Sequence, residues 1–127
     1  MSNVTWLEKH KHFEWMQKCL TCWKLCEEFI SWCIENSTYL NSIGFGRDVS
    51  EICSQCIKFE AQRSPFFHQL CSVGADICEA CAAELEKHDE PDENAMINMA
   101  ATSCRTFATA CREIYEKQKG EMNVRIN

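Results

Sequence analysis

The apolar pattern of this chain is drawn largely by cysteine, and its steps are three, four and seven residues. Cys19, Cys22, Cys26 and Cys33 make one run, and Cys53 and Cys56 a second. Cys71, Cys78 and Cys81 make a third, and Cys104 and Cys111 a fourth. Steps of this size keep side chains on one stripe of an α-helix. The pattern therefore predicts four helices, each carrying thiols on a single face. No strand-like alternation of useful length competes with it.

Local signals place the helix ends. Thr5-Trp6-Leu7-Glu8 has the spacing of a capping box and predicts a first helix running to about Ser37, with a break near His10. The Ser, Asn and Gly residues between Ser37 and Arg47 predict the longest connection. Asp48-Val49-Ser50-Glu51 is a second capping signature, opening a helix that ends near Arg63. Ser64 before Pro65 predicts a third helix to about His88. The acids of Asp89-Glu90-Pro91-Asp92-Glu93 suit the positive end of a helix dipole and open a fourth, which Gly120 stops after Lys119.

Three connections between four helices predict an all-α fold, an antiparallel up-down-up-down four-helix bundle with a cysteine-lined core. It is expected as a single domain, 1–127, with its helical core over 5–119 and a tail over 120–127. Counting back from each turn at ~1.5 Å per residue puts Cys33, Cys53, Cys56, Cys78 and Cys104 near one level, with Cys81 just beyond. Cys26, Cys71 and Cys111 fall near a second level, with Cys22 and Cys19 below them.

Composition narrows the chemistry. At 127 residues the chain can bury a core without disulfides. Its net charge of −6 argues against nucleic acid and against anionic membrane surfaces, both of which need a basic face. No apolar run reaches membrane-span length. Residues Met1 to His10 show no secretory leader, so the expected compartment is the cytoplasm. There, eleven cysteines make a poor disulfide scaffold, and the odd count weakens that reading further. Helical neighbours also stand ~5–6 Å apart at Cβ, whereas a relaxed disulfide wants ~3.8 Å. A metal accepting two thiolates at ~2.3 Å each spans that gap.

Soft thiolates in rows suit Cu(I), which tolerates two or three ligands per site. The metal displaces thiol protons and so offsets the cost of thiolates in an apolar interior. A second ligand set stays open. Two Cys-x-x-Cys pairs, Cys53/Cys56 and Cys78/Cys81, with Cys33 or Cys104 as substitutes, have the composition of a [4Fe–4S] cluster or a structural zinc (Zn) site with four thiolate ligands. Small-hydrophobe packing is the plain alternative. Catalysis is not expected. Thiol oxidoreductases place Cys-x-x-Cys at a helix N-terminus after a strand, and no phosphate loop or carboxylate pair is present.

The stretch Gly74-Ala75-Asp76-Ile77-Cys78-Glu79-Ala80-Cys81-Ala82-Ala83-Glu84-Leu85-Glu86-Lys87-His88-Asp89, together with Cys104 and Cys111 before Arg112-Glu113, resembles the bacterial cysteine-rich four-helix-bundle copper-storage proteins, in particular the branch without an export signal. The likeness spans about residues 15–118. It implies cysteines pointing into a bundle that binds many Cu(I) ions, chiefly through Cys-x-x-x-Cys pairs. This chain has only Cys22/Cys26 of that type. Leu85 and Phe107 stand where a thiol would extend the stripe, and Glu60 follows Cys56 at a similar place. Lower capacity is therefore expected than in a cysteine-saturated relative.

All eleven cysteines are thus candidate ligands. His88 joins them, since it follows Cys81 by seven residues and should stand at the bundle mouth. His10, His12 and His68 read as solvated or dipole-stabilised residues. Met16 is a weaker thioether candidate, with packing the better account for it and for Met96, Met99 and Met122. Trp6, Trp15, Trp23, Trp32, Phe13 and Phe29 read as core or as a self-association face, which leaves a homo-oligomer open. Phe66 and Phe67 are expected to seal one end. Glu79, Glu84 and Glu86 read as a solvated face. The partners are metal ions; the copper donor and acceptor are not specified by the sequence.

Overall fold

Cysteine, alanine and aromatic side chains at helical spacing give each segment one dry face, and four such faces close on one another. In the computed structural model of the chain, residues 11–88 and 95–126 are described. They form α1 (Phe13–Asn36), α2 (Leu40–Ala61), α3 (Phe67–Glu86) and α4 (Ala95–Ile126). Each helix packs on two neighbours, α1 on α2 and α4, and α3 on α2 and α4. This is the square cross-section of a four-helix bundle. Its core holds all eleven cysteines without solvent exposure, together with Phe29, Leu85, Ile97, Phe107, Ala75, Ala82 and Ala100.

The bundle is the one expected, but its register is not. Ser37–Arg47 is not a long connection, because α2 already begins at Leu40. Asp48-Val49-Ser50-Glu51 lies inside that helix and caps nothing. Ser42, Ile43, Gly46, Val49, Ser50 and Cys53 are buried at helical spacing, which extends the cysteine stripe backwards. Gly46 is a close-approach residue: a Cβ there would stand 3.1 Å from Ile30 Cγ1. The chain reverses through Ser37, in the left-handed region at φ 48°, with Thr38 N–H donating to Cys33 O (3.1 Å) and Ser37 N–H to Ile34 O (3.3 Å). That pair of bonds closes the helix end in the Schellman manner. Tyr39 is also left-handed, at φ 49°. Its ring lies between Trp32 (centroids 5.9 Å apart) and His88 (4.2 Å), contacts that hold a conformation bulky residues otherwise avoid.

Other ends differ by smaller margins. The Ser64 side chain accepts a hydrogen bond from Phe66 N–H (3.1 Å), and α3 starts at Phe67. Phe67 is buried and seals that end of the bundle, whereas Phe66 is exposed. Gly120 does not stop α4, which continues to Ile126. A glycine ends a helix when it turns left-handed, and no described glycine has positive φ. Without that turn it only weakens a run of good helix formers. The expected capping box at Thr5 and the acidic opening at 89–93 lie outside the described residues.

The acids of α3 are more than a solvated face. Arg112 on α4 reaches Asp76 (2.6 Å) and Glu79 (2.9 Å), and Arg105 reaches Glu86 (2.6 Å). Exposed pairs like these add little energy, but they sit along one α3–α4 seam.

Candidate metal centre

The sulfur atoms from different helices meet in two groups. In the larger, Cys104 on α4 stands 3.7 Å from both Cys22 and Cys26 on α1. Among the described residues, Cys22, Cys26 and Cys104 are the one set of three potential ligands whose donor atoms all lie within 4.8 Å of one another. Cys53 on α2 and Cys78 and Cys81 on α3 complete the group: Cys22 interacts with Cys53 and Cys78, and Cys81 with Cys26 and Cys104. Cys19 borders it, with its thiol donating to Cys53 O at 3.5 Å.

The second group joins α2, α3 and α4. Cys71 interacts with Cys111 and Cys56, while the Cys56 thiol points to Leu70 O at 4.0 Å. Gly74 leaves the space between these sulfurs open: a Cβ there would stand 3.5 Å from Cys56 Sγ and 3.9 Å from Cys111 Sγ. Trp15 closes the group from α1, its Nε1–H donating to Cys111 Sγ at 3.3 Å.

Cys33 is placed elsewhere. It is buried, but burial alone pushes its thiol up, to about 11, with no thiol neighbour contributing. The expected level shared with Cys53 and Cys104 assumed the long connection; the early start of α2 slides that helix along α1 and sets Cys53 beside Cys19 and Cys22 instead. The quartet Cys53, Cys56, Cys78 and Cys81 does not converge either. Cys53 faces Cys22 and Cys78, while Cys56 turns to Cys71 and the Leu70 carbonyl. Residues three apart differ in azimuth and height, enough here to send them into separate groups.

His88 stands at the end of the bundle, beside the α1–α2 turn. Its Nε2 lies 2.9 Å from Ser42 Oγ and its ring rests on Tyr39. It is thus held by Ser42 and Tyr39. Met16 packs against the core edge and Met99 is exposed. At the opposite end, His12 Nδ1 pairs with Glu60 Oε2 at 3.3 Å, and His12 and His68 flank Phe67. Burial holds both imidazoles below their usual range.

The thiols of the larger group are shifted in opposite directions. Hydrogen bonding with Cys104, then with Cys26, Cys53 and Cys78, holds the Cys22 thiol below its usual range. Cys81 is lowered to about 5 by Cys104 and then Cys26. Their neighbours move the other way: Cys104 is raised, chiefly by Cys22, and Cys26 is raised by Cys104, Cys22 and Cys81, with burial adding to both. Cys53 is raised first by Cys19, and Cys71 first by Cys111. Sulfur–sulfur contacts thus push neighbouring thiols in opposite directions inside a low-dielectric core. A soft monovalent cation can replace thiol protons one for one and bind the same sulfurs without adding net buried charge.

The chain matches known proteins over most of its length. A family model described as copper storage protein covers residues 8–116. The uncharacterised cysteine-rich protein YhjQ of Bacillus subtilis (strain 168) is 33% identical over 102 residues, which is 78% of this chain and 91% of that protein. Among solved structures, Cu(I)-bound copper storage protein BsCsp3 superposes with a TM-score of 0.74 at 30% identity, covering 82% of this chain and 97% of the other. The apo form of copper storage protein 3 from Bacillus subtilis gives 0.72 at 31% identity, covering 82% and 98%.

Proposed function

The chain belongs to the copper storage protein family, and we propose that it stores Cu(I) through the thiolates of its two core groups. The observation that carries this function is the meeting of Cys22, Cys26 and Cys104 within 4.8 Å in a dry core. Three sulfurs at that spacing suit a two- or three-coordinate soft ion without a closed tetrahedral cage. Each Cu(I) that binds replaces a thiol proton, which leaves toward solvent.

Charge neutrality then bounds the stoichiometry. Three thiolates on one monovalent ion leave a net charge of about −2, costly in an apolar interior. Sharing each thiolate between neighbouring ions removes that charge, so loading tends toward one Cu(I) per thiolate. Zinc in a four-thiolate site keeps its negative excess, and Cys56, one of the first-choice iron–sulfur ligands, lies with Cys71 in the other group. The proposed ligands are the ten grouped or bordering cysteines, Cys19, Cys22, Cys26, Cys53, Cys56, Cys71, Cys78, Cys81, Cys104 and Cys111. Cys33 would serve as an outlying thiol.

His88 is assigned a lesser part, an ion-passing residue at the bundle end, where Ser42 orients its ring. Storage requires no catalytic step, and the chain acts as one metal-binding domain in this account. No helix among the described residues is long and apolar enough to cross a membrane. Free thiols persist in reducing compartments, which supports the cytoplasm as the place of action.

Anaerobic titration with Cu(I) against a strong colorimetric chelator tests the function. The protein is expected to withhold several equivalents from the chelator, up to about one per core thiol, and to remain colourless. Retention of fewer than two equivalents would remove the storage role.

A further inference from the structure

Trp15 carries a hydrogen bond from an aromatic side chain into the thiol core. It is nearly fully buried, at 4% exposure. A buried indole N–H needs an acceptor, and the partner it has is Cys111 Sγ at 3.3 Å. The ring is fixed on three sides. Phe67 meets it edge-on at 5.0 Å, Phe107 lies at 5.7 Å, and His12 touches its edge at 6.5 Å while pairing with Glu60. His12 also lines a surface cleft of about 260 Å³ with His68, Glu113 and Lys117. The indole thus contacts both His12, which lines that cleft, and the Cys111 sulfur of the second group.

We propose that Trp15 is a retention residue for copper held by Cys56, Cys71 and Cys111, its N–H anchoring the Cys111 sulfur in the loaded state. This rests on the storage function above. A neutral thiol sulfur is a weak acceptor, whereas a thiolate that shares its charge with a Cu(I) ion is a stronger one, because hydrogen bonds to ionised groups are the strong class. The bond thus gains strength on loading, and the gain opposes release. It also uses one direction around the sulfur, steering Cys111 toward fewer metal partners than a thiolate with all lone pairs free. Trp15 touches the ligand and not the ion, so it acts as a positioning residue.

Trp15→Phe keeps the ring contacts and removes the donor. Wild type and variant would be loaded fully with Cu(I) and mixed with excess high-affinity chelator, and release followed in time, with each pair repeated in a Cys111→Ala background. The expected result is roughly tenfold faster release of the fraction held by the second group in Trp15→Phe, with the remaining phases unchanged. In the Cys111→Ala background, the proteins with and without the Trp15→Phe change should release alike. Equal rates in the first pair would overturn the proposal. The same acceleration in both backgrounds would also overturn it, by showing a steric plug. A second readout uses the unmutated protein: the indole N–H resonance that is perturbed by Cys111→Ala should shift when copper is added, and an unmoved resonance would count against the bond. Wild-type uptake, measured first, separates the two failures. If no copper is withheld, storage fails; if copper is withheld and the variants behave alike, only the role of Trp15 fails.

Discussion

Replacing Cys104 with alanine is expected to weaken the tightest copper class by more than about 100-fold and to lower the number of equivalents withheld from a chelator. Cys104 supplies α4's only sulfur to the larger group and lies 3.7 Å from each of its two closest partners. Loss of an outer-shell partner of a metal ligand typically costs 10–100-fold in affinity, so loss of a ligand shared by several sulfurs should exceed roughly that range. Cys33→Ala is the matched control. It also removes a fully buried thiol, but one without a sulfur neighbour, so affinity should change by less than about threefold and capacity by one equivalent at most. Anaerobic competition titrations of both variants beside the wild type check this. Equal behaviour of the two variants would mean that the converged trio is not the preferred site.

The second large effect concerns Phe107, which is fully buried between Cys104 and Cys111 on the same helix face. Phe107→Ala should destabilise the copper-free protein by about 3–5 kcal/mol, the cost of removing a buried ring and leaving part of its cavity. Domains of this size are typically stable by only about 5–15 kcal/mol, so the midpoint of chemical denaturation should fall sharply. Phe107→Cys divides the two properties. It gives up most of the same packing and so lowers copper-free stability, yet it adds a sulfur one turn from both neighbours. The cysteine variant is expected to bind more Cu(I) than wild type and to recover stability on loading, because a ligand that binds only the folded state stabilises it. Denaturant melts with and without Cu(I) read both effects. A cysteine variant as stable as wild type without copper would show that the ring contributes little to the core.

Much of this was legible in the chain. Cysteine spacing alone defined four helices and the face each one buries, and all eleven thiols lie on those faces. Register was the part that escaped. Gly44 and Gly46 resemble loop residues by type, yet Gly46 lets α1 and α2 approach. The apolar period through Ile43, Gly46, Val49 and Cys53 carried the contrary signal. Mistaking one helix start displaced every level counted from it, which misplaced Cys33 and misgrouped Cys56. Gly120 misled in a related way, since a glycine permits a helix to end without requiring it. His88 was correctly put near the bundle end, but spacing along one helix cannot reveal Ser42 and Tyr39, which arrive from another part of the chain. The Trp15–Cys111 bond joins residues 96 apart in sequence. Trp15 was recognisable as core; its polar edge found a sulfur only through packing.

The most direct test is crystallography of the Cu(I)-loaded protein, with anomalous scattering recorded on both sides of the copper absorption edge. Copper peaks are expected inside the bundle, among Cys22, Cys26, Cys53, Cys78, Cys81 and Cys104 first and beside Cys56, Cys71 and Cys111 next. Peaks confined to surface histidines or methionines, or a loaded crystal with no copper in the core, would contradict the account.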